Sequence, residues 1–361
     1  MTFDIVQHLF WLIAALGGGF FGAAIGGNFS FVITGFTALM ALGAAAIPTT
    51  TGDPGAVSAT VFGYLAFGPF TGPHVAFGGA VAGAAYAAHK GYTESGKDIV
   101  LPLARLGKPD VLLVGALFGG IGYIIQQIYA NIPWFGTHTD SVAVTVVTSA
   151  LIVRAVFGKN ATDPEHGSSL VNFEKRIDGL KPRDDAAWLR HMETPGQLVP
   201  LGFFAGLLAA GAALYLAFTF PGIAGNANVF PFAISAVTIL FLNIGYNIPV
   251  THHITNIAGL GAIMFFPIFL GNAAYGPKGF DPTAFAHALT TDSKMAGAAI
   301  GALIVGALFG VMAAFLGEFG ARLLYNRGTT HIDPPAFAIF ISNTIVWVVA
   351  LIVQAAAGIG A

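Results

Sequence analysis

Long apolar windows occupy most of the chain, and one polar stretch near its middle divides them into two sets. Most windows reach the roughly 20 residues that a helix needs to cross about 30 Å of hydrocarbon. This pattern predicts an all-α polytopic membrane protein. The windows fall near residues 9–26, 28–48, 54–70, 73–89, 110–131 and 140–158, and then near 198–219, 228–249, 254–271, 295–322 and 335–357.

The charge content excludes the main classes of soluble protein. Only 9% of the 361 residues are charged and 55% are hydrophobic, whereas an ordinary soluble domain carries about 25% charged residues. A net charge of −2 offers no basic surface for nucleic acid. We therefore expect the lipid bilayer as a partner and no nucleic-acid partner. Since the chain has no cysteine, disulfides and thiol chemistry are excluded.

The polar stretch at 159–197 predicts a linker between two membrane domains, residues 1–158 and 198–361. Short motifs recur in the same order on both sides of this linker. Their Pro, His and Asp residues are not the types in which the chain is enriched, so the matches predict an internal duplication. The matched segments are Phe-x-Phe at 29–31 and 230–232, Ile-Pro-x-Thr at 47–50 and 248–251, Val-Gly-Ala-Leu-Phe-Gly at 114–119 and 305–310, and Thr-His-x-Asp at 137–140 and 330–333.

The distribution of Lys and Arg predicts the orientation of the two halves. These residues cluster at 90–108, 154–190 and 322–327, and the positive-inside rule places such clusters in the cytoplasm. Window 110–131 then runs outward, while its counterpart 295–322 runs inward. We therefore predict inverted-topology repeats in the inner membrane, with the central loop in the cytoplasm.

Inversion requires an odd number of spans in each half. We expect about five per repeat with re-entrant or broken helices, so that window 73–89 and residues 281–293 do not cross. The first apolar run has no preceding Lys or Arg, which predicts a retained first helix rather than a cleaved signal. The alternative is six plus six spans in parallel, which leaves Arg322 and Arg327 outside.

The main candidate site is the pair of helix breaks at Pro48 and Pro249. Proline removes a backbone donor, and broken backbone at membrane depth survives only inside protein or beside a wet cavity. Inverted-repeat transporters bind substrate at such breaks. The alternative is a surface loop with its polar side chains in water. The residues near the breaks that we predict to bind substrate are Thr49, Thr50, Asp53, Thr251, His252, His253 and Asn256.

Two asparagines before the second break extend this candidate site. Asn243 and Asn247 are spaced i, i+4 and would share one face of a helix. Amides in an apolar span either face a pathway or join helices to each other. The adjacent His252 and His253 point about 100° apart on a regular helix, so we predict no metal site and no cofactor.

Two further groups of residues are predicted to have gating or structural roles. Asp140 and Asp333 each precede an apolar window, where an aspartate is a natural N-cap. Inversion would also put one of them at each mouth of the protein, which suits gating. Glu318 and Arg322 are spaced i, i+4 and predict an ion pair, which is either functional or a pair that reaches the membrane surface.

Together these features predict a transport protein, either a secondary transporter or a channel, for a small polar or singly charged solute. Coupling to Na⁺ or H⁺ would use hydroxyl, amide and carbonyl oxygens. A homo-oligomer is compatible with the sequence. No motif of a known enzyme class is present, so we expect no enzymatic activity. The alternatives are a non-transporting subunit of a membrane complex, or an intramembrane enzyme that uses His252, His253, His287 and His331.

Overall fold

The computed structural model describes residues 5–46, 61–158, 187–271 and 291–359. Within these residues the protein is all-helical and forms ten helices of more than ten residues. Five helices precede the central linker, and five follow it. They are α1 (Ile5–Ile25), α2 (Gly27–Ala46), α3 (Ala76–His89), α4 (Pro109–Ala130) and α5 (Ser141–Phe157), and then α6 (Pro195–Thr219), α7 (Val229–Asn243), α8 (His252–Leu270), α9 (Ser293–Tyr325) and α10 (Pro334–Ala356).

Seven of the described helices are long and apolar enough to cross a membrane, namely α1, α2, α4, α6, α8, α9 and α10. Helices α3, α5 and α7 have 14, 17 and 15 residues. At 1.5 Å per residue each of these three is roughly 21–26 Å long. The chain is thus compatible with a multi-pass membrane protein, as its apolar windows predict.

Prolines and aspartates set the beginnings of several helices. Helices α4 and α6 begin at Pro109 and Pro195, where the missing N–H of proline costs nothing. Asp140 accepts a hydrogen bond from the Ala143 N–H at 2.8 Å, which makes it the N-cap of α5. Asp333 caps α10 in the same way. Both aspartates are the N-caps that the sequence predicts.

Two predicted windows differ from the helices in the structure. Residues 61–70 of window 54–70 form one short π-helical segment, Val61–Ala66, followed by turns. In window 228–249 the helix ends early, at Asn243. The cause of this early end is Gly245, whose φ of 96° lies in the left-handed region and cannot continue a helix.

Glycines let α1, α3 and α4 of the first half pack backbone against backbone. A methyl group at Gly119 would lie 2.7 Å from the Cα atom of Gly19 and 2.5 Å from the carbonyl oxygen of Ala15. A methyl group at Gly79 would lie 2.6 Å from the carbonyl oxygen of Gly115. No larger residue fits at these contacts, so the GxxxG segment of α4 mediates the close packing expected of it.

The second half repeats this packing with α6, α8 and α9. A methyl group at Gly310 would lie 2.6 Å from the carbonyl oxygen of Gly202 and 3.2 Å from the Cα atom of Gly206. A methyl group at Gly306 would lie 2.6 Å from the carbonyl oxygen of Ala258. The matched segments of α4 and α9 thus meet equivalent neighbours in the two halves.

Two helix pairs join the halves to each other. Helix α2 packs on α7, where a methyl group at Gly35 would lie 2.9 Å from the carbonyl oxygen of Ala233. Helix α5 packs on α10. Near the start of α5, Thr139 hydrogen-bonds Thr344 at 2.8 Å, and near its end Arg154 donates to the Thr330 carbonyl at 2.7 Å. Helices α5 and α10 therefore run in opposite directions.

Replacing Gly19 with Ala should lower the thermal stability of the purified protein, because overpacking a tight contact costs about 1–3 kcal/mol. Gly17 is the matched control, since it lies two residues away in α1 and has nothing within 4 Å of an added methyl group. Gly17→Ala should leave the melting temperature unchanged or slightly raised. Equal melting temperatures for the two variants in detergent would contradict the packing described here.

Candidate functional site

A cavity of about 680 Å³ lies between the two halves. Its volume falls within the roughly 300–1,000 Å³ of ordinary small-molecule sites. Helices α2 and α5 of the first half and helices α7, α8 and α10 of the second contribute to its wall. The polar side chains that matter most below are Asn28, Asp140, Asn228, His252, Asn256 and Asp333.

Three cavity residues, His252, His331 and Asp333, form what we call the His–Asp cluster. The His331 Nε2 atom lies 3.3 Å from Asp333 Oδ1, while Asp333 Oδ2 accepts the Ala336 N–H at 2.8 Å. His252 lies in the first turn of α8 and is 4% exposed. Its Nδ1 atom has no hydrogen-bond partner among the described residues. The cluster therefore keeps unused hydrogen-bonding capacity at the cavity wall.

Aromatic rings enclose this cluster from both halves. The ring centroid of His252 lies 4.7 Å from that of Phe31 and 5.7 Å from that of Phe232. His331 lies between Phe77 and Tyr325, at 5.6 and 5.2 Å. The polar groups thus sit in apolar surroundings, where electrostatic interactions are stronger than in water.

Asparagines supply the other polar groups of the cavity wall. Asn228 donates through Nδ2 to Asn256 Oδ1 at 2.6 Å, which joins the segment before α7 to α8. Asn28 lines the cavity from α2 of the first half. Amides both donate and accept hydrogen bonds, so this part of the wall can bind a polar solute without carrying a charge.

Asp140 lines the cavity at a distance from the His–Asp cluster. Its neighbour Thr139 pairs with Thr344, which lies 11 residues beyond Asp333 in α10. At 1.5 Å of helix rise per residue that separation is about 16 Å. The repeated Thr-His-x-Asp motif therefore places one carboxylate in each of two separate parts of the same cavity.

Helices α5, α8 and α10 begin at the cavity, and so do α2 and α7. Their N-terminal ends carry partial positive charge. Asp140 and Asp333 cap α5 and α10. Thr251 precedes α8, but its hydroxyl donates to Ser235 Oγ at 3.3 Å, and within the described part of the chain it caps no N–H.

The structure brings only some of the predicted binding residues together. His252 and Asn256 line the cavity, and so do Asp140 and Asp333. The first predicted break, with Pro48, Thr49, Thr50 and Asp53, lies outside the described residues.

Asn243 and Asn247 do not share a helix face, so this part of the prediction is wrong. Helix α7 ends at Asn243, and Asn247 lies exposed in the segment between α7 and α8. Neither side chain contributes to the cavity wall, and the same holds for Pro249 and Thr251. The second break begins at Gly245 instead of Pro249, because the positive φ of this glycine ends the helix first.

His253 is buried on a different face of α8 from His252, with the two ring centroids 5.8 Å apart. Its Nε2 atom lies close to Gly317 of α9, where an added methyl group would come within 2.9 Å of it. Among the described residues no group of three or more His, Cys, Asp or Glu side chains is placed to hold a metal ion.

Glu318 and Arg322 form the ion pair that their spacing predicts, with Oε1 and Nε 2.8 Å apart. The pair does not line the cavity. Glu193, outside the membrane-spanning helices, lies close to it and accepts the Leu189 N–H at 2.8 Å. Burial raises the pKa of Glu193. The hydrogen bond from Leu189 acts in the opposite direction, and the Glu318 carboxylate raises this pKa further.

Some polar residues of interest carry no strong sequence signal. Asn28 directly precedes its Phe-x-Phe segment, and Asn228 stands two residues before the other one. His74 is 1% exposed, and its two ring nitrogens have no partner among the described residues. It precedes Gly79 of α3 by five residues, as His253 precedes Ala258 of α8. The two histidines therefore occupy matching places in the packing.

The described residues form an all-helical protein that is compatible with a multi-pass membrane location. A cavity with polar side chains in its wall lies between the two halves. The chain belongs to a family described as a family of unknown function (DUF7973), which matches residues 1–357. None of the curated proteins compared with the chain matches it. Comparison with solved structures likewise finds no match.

Single cysteines in this cysteine-free chain should report whether the cavity holds water. Asn343 lines the cavity, and its neighbour Ser342 is fully buried elsewhere in the packing. We expect Asn343→Cys to react with a small hydrophilic thiol reagent and Ser342→Cys to remain unlabelled, as measured by mass spectrometry. No labelling of either variant would mean that the cavity is closed to water.

Proposed function

We propose that the protein is a membrane transport protein, a channel or a secondary transporter, that moves a small polar or singly charged solute through the cavity. The observation that carries this proposal is the position of the polar groups. Both halves contribute them to one cavity. Buried polar and ionisable groups are costly within a membrane and mark functional sites there.

The outer surface supports a membrane location for this cavity. Large apolar side chains on the outer faces of seven of the described helices are more than half exposed. A soluble protein rarely exposes so many large apolar groups together. Examples are Phe10 of α1, Leu117 of α4, Leu208 of α6 and Leu308 of α9.

We also propose that the halves are inverted repeats, and two features of the packing support this. Helices α1, α3 and α4 pack through glycines as α6, α8 and α9 do. Helices α5 and α10 are equivalent by their Thr-His-x-Asp motifs, and they run in opposite directions. Equivalent helices of opposite direction are expected when one repeat is inverted relative to the other.

The packing favours α3 as the fifth element of the first repeat. Window 73–89 is not among the five spans that the sequence predicts for the first repeat, but α3 packs against α1 and α4 as α8 packs against α6 and α9. The pairs α1/α6, α2/α7, α3/α8, α4/α9 and α5/α10 then account for all ten long helices of the described residues.

A contact between the halves argues against the parallel arrangement. Lys97 Nζ lies 3.4 Å from the Tyr325 carbonyl oxygen and 3.3 Å from that of Asn326. The basic clusters at 90–108 and 322–327 therefore lie on the same side of the molecule. Six plus six parallel spans would put them on opposite sides. We propose that this side is cytoplasmic and that the membrane is the inner membrane.

Cysteine labelling from one side of the membrane tests this topology. Glu94→Cys and Gly196→Cys should react only after the cells are permeabilised, while Gly225→Cys and Lys294→Cys should react in intact cells. All four positions are exposed in the structure. Labelling of Lys294→Cys only after permeabilisation would contradict the inverted arrangement.

Substitutions of two asparagines test the pathway. Asn256 lines the cavity and Asn243 does not, so Asn243→Leu is the matched control for Asn256→Leu. We expect Asn256→Leu to reduce flux at least tenfold and Asn243→Leu to leave it unchanged, because only the first removes an amide from the pathway.

Flux is measured by stopped-flow light scattering of proteoliposomes under separate gradients of urea, glycerol, ammonium chloride and sodium formate. Empty liposomes give the background, and monodispersity in detergent confirms that each variant is folded. If no solute crosses faster than in empty liposomes, the proposed transport function is wrong. If the two variants transport equally, the pathway lies elsewhere.

A further inference from the structure

We propose that the cavity binds a monovalent cation and that Asp140 and Asp333 are its two binding positions. This inference rests on the proposed function and names the class of solute, or of coupling ion, that the pathway takes. Both aspartates line the cavity, and the groups around them decide whether their negative charge is neutralised.

In the described part of the chain neither aspartate has a lysine or arginine beside it, although the Nε2 atom of His331 lies 3.3 Å from Asp333 Oδ1. Among the described residues no Lys or Arg forms an ion pair with Asp140 or Asp333. Each accepts a backbone N–H at the start of a helix, and hydrogen bonds of this kind favour the ionised carboxylate. The helix end compensates only part of a unit charge, so each position retains negative charge.

Among the described residues that line the cavity, Lys97 is the one lysine or arginine against the three carboxylates of Asp98, Asp140 and Asp333, so a net negative charge remains. Lys97 is held by two backbone carbonyls, and its ammonium group lies 4.8 Å from the centre of the Tyr325 ring. Asp98 is acidic and accepts the N–H groups of Val100 and Leu101, both at 3.1 Å. The remaining groups are the phenol of Tyr325 and the two imidazoles of the His–Asp cluster.

The rest of the wall suits a cation in two ways. The described residues provide no partner for His252 Nδ1, although His252 is more than nine-tenths buried. In one tautomer this nitrogen offers a lone pair, and amide oxygens offer others. The rings of Phe31, Phe77 and Phe232 line the same cavity, and aromatic faces attract cations.

The separation of the two aspartates fits a pathway with two alternating positions. One carboxylate belongs to each half, and Asp140 follows Thr139, whose partner Thr344 lies about 16 Å along α10 from Asp333. In an inverted pair of repeats, the two positions would face opposite sides of the membrane. A cation could then be held at Asp333 in one state and at Asp140 in the other.

The first test measures ion binding to the purified full-length protein. Trp188 and Trp347 line the cavity, so tryptophan fluorescence reports on its contents. We titrate sodium, ammonium and tetramethylammonium chloride against N-methylglucamine chloride at constant ionic strength, and then vary the anion with the cation fixed. We expect a saturable change with at least one cation and none that depends on the anion.

The same titrations distinguish the sources of the cation. Saturation by sodium identifies an inorganic ion, and saturation by ammonium or tetramethylammonium identifies an amine. A response to the anion alone, or to no ion at all, overturns the proposal. This measurement uses only the wild-type protein, so it does not depend on the folding of any variant.

The second test removes each charge and keeps the helix cap. Asparagine is as good an N-cap as aspartate, so Asp333→Asn and Asp140→Asn change mainly the charge. Asp292 caps α9 through Lys294 and Met295 and does not line the cavity. Asp292→Asn is therefore the matched control.

We expect Asp333→Asn and Asp140→Asn each to weaken cation binding at least tenfold, and Asp292→Asn to leave it unchanged. Wild-type affinity in both cavity variants overturns the proposal. Cation binding without flux in liposomes would retain this inference and remove the transport function. Flux of an uncharged solute without a response to any cation would retain the transport function and overturn this inference.

Discussion

Close approach of helix backbones is the constraint on which the rest of the structure depends. In each half, three helices meet where small residues leave carbonyl oxygens and Cα atoms in direct contact, as at Gly19 with Gly119 and at Gly206 with Gly310. Without a hydrophobic driving force between helices in lipid, such packing supplies much of the association. Each three-helix group is therefore closely packed, and the cavity is lined mainly by α2, α5, α7, α8 and α10.

The polar groups of the cavity follow from the same physics. In apolar surroundings an unpaired polar group is costly, so Asn228 pairs with Asn256 and His331 pairs with Asp333. The helix caps use one carboxylate oxygen of each aspartate and leave its charge in the cavity. The backbone groups at these helix ends are therefore satisfied, while neither carboxylate pairs with a lysine or arginine of the described residues. This combination distinguishes the cavity from an ordinary polar contact between helices.

The candidate site lies beside the predicted proline break instead of at it. Because Gly245 ends α7 early, Asn247 and Pro249 fall in the connecting segment, and the chain returns to the cavity only at Val250 and His252. A hydropathy window cannot register this change, since an apolar residue after a glycine scores as it would in a helix. The sequence predicts the two aspartates as N-caps, and the helix ends that they cap lie at the cavity.

The sequence by itself determined the all-helical class, the caps at Asp140 and Asp333 and the close packing at the GxxxG segments. These depend on local composition and on contacts within one helix or one motif. Only the tertiary structure decided that His252, Asn228 and the two aspartates line one cavity, and that α3 packs as α8 does. Such relations depend on how distant helices pack, and an isolated side chain carries no sign of which helix it will face.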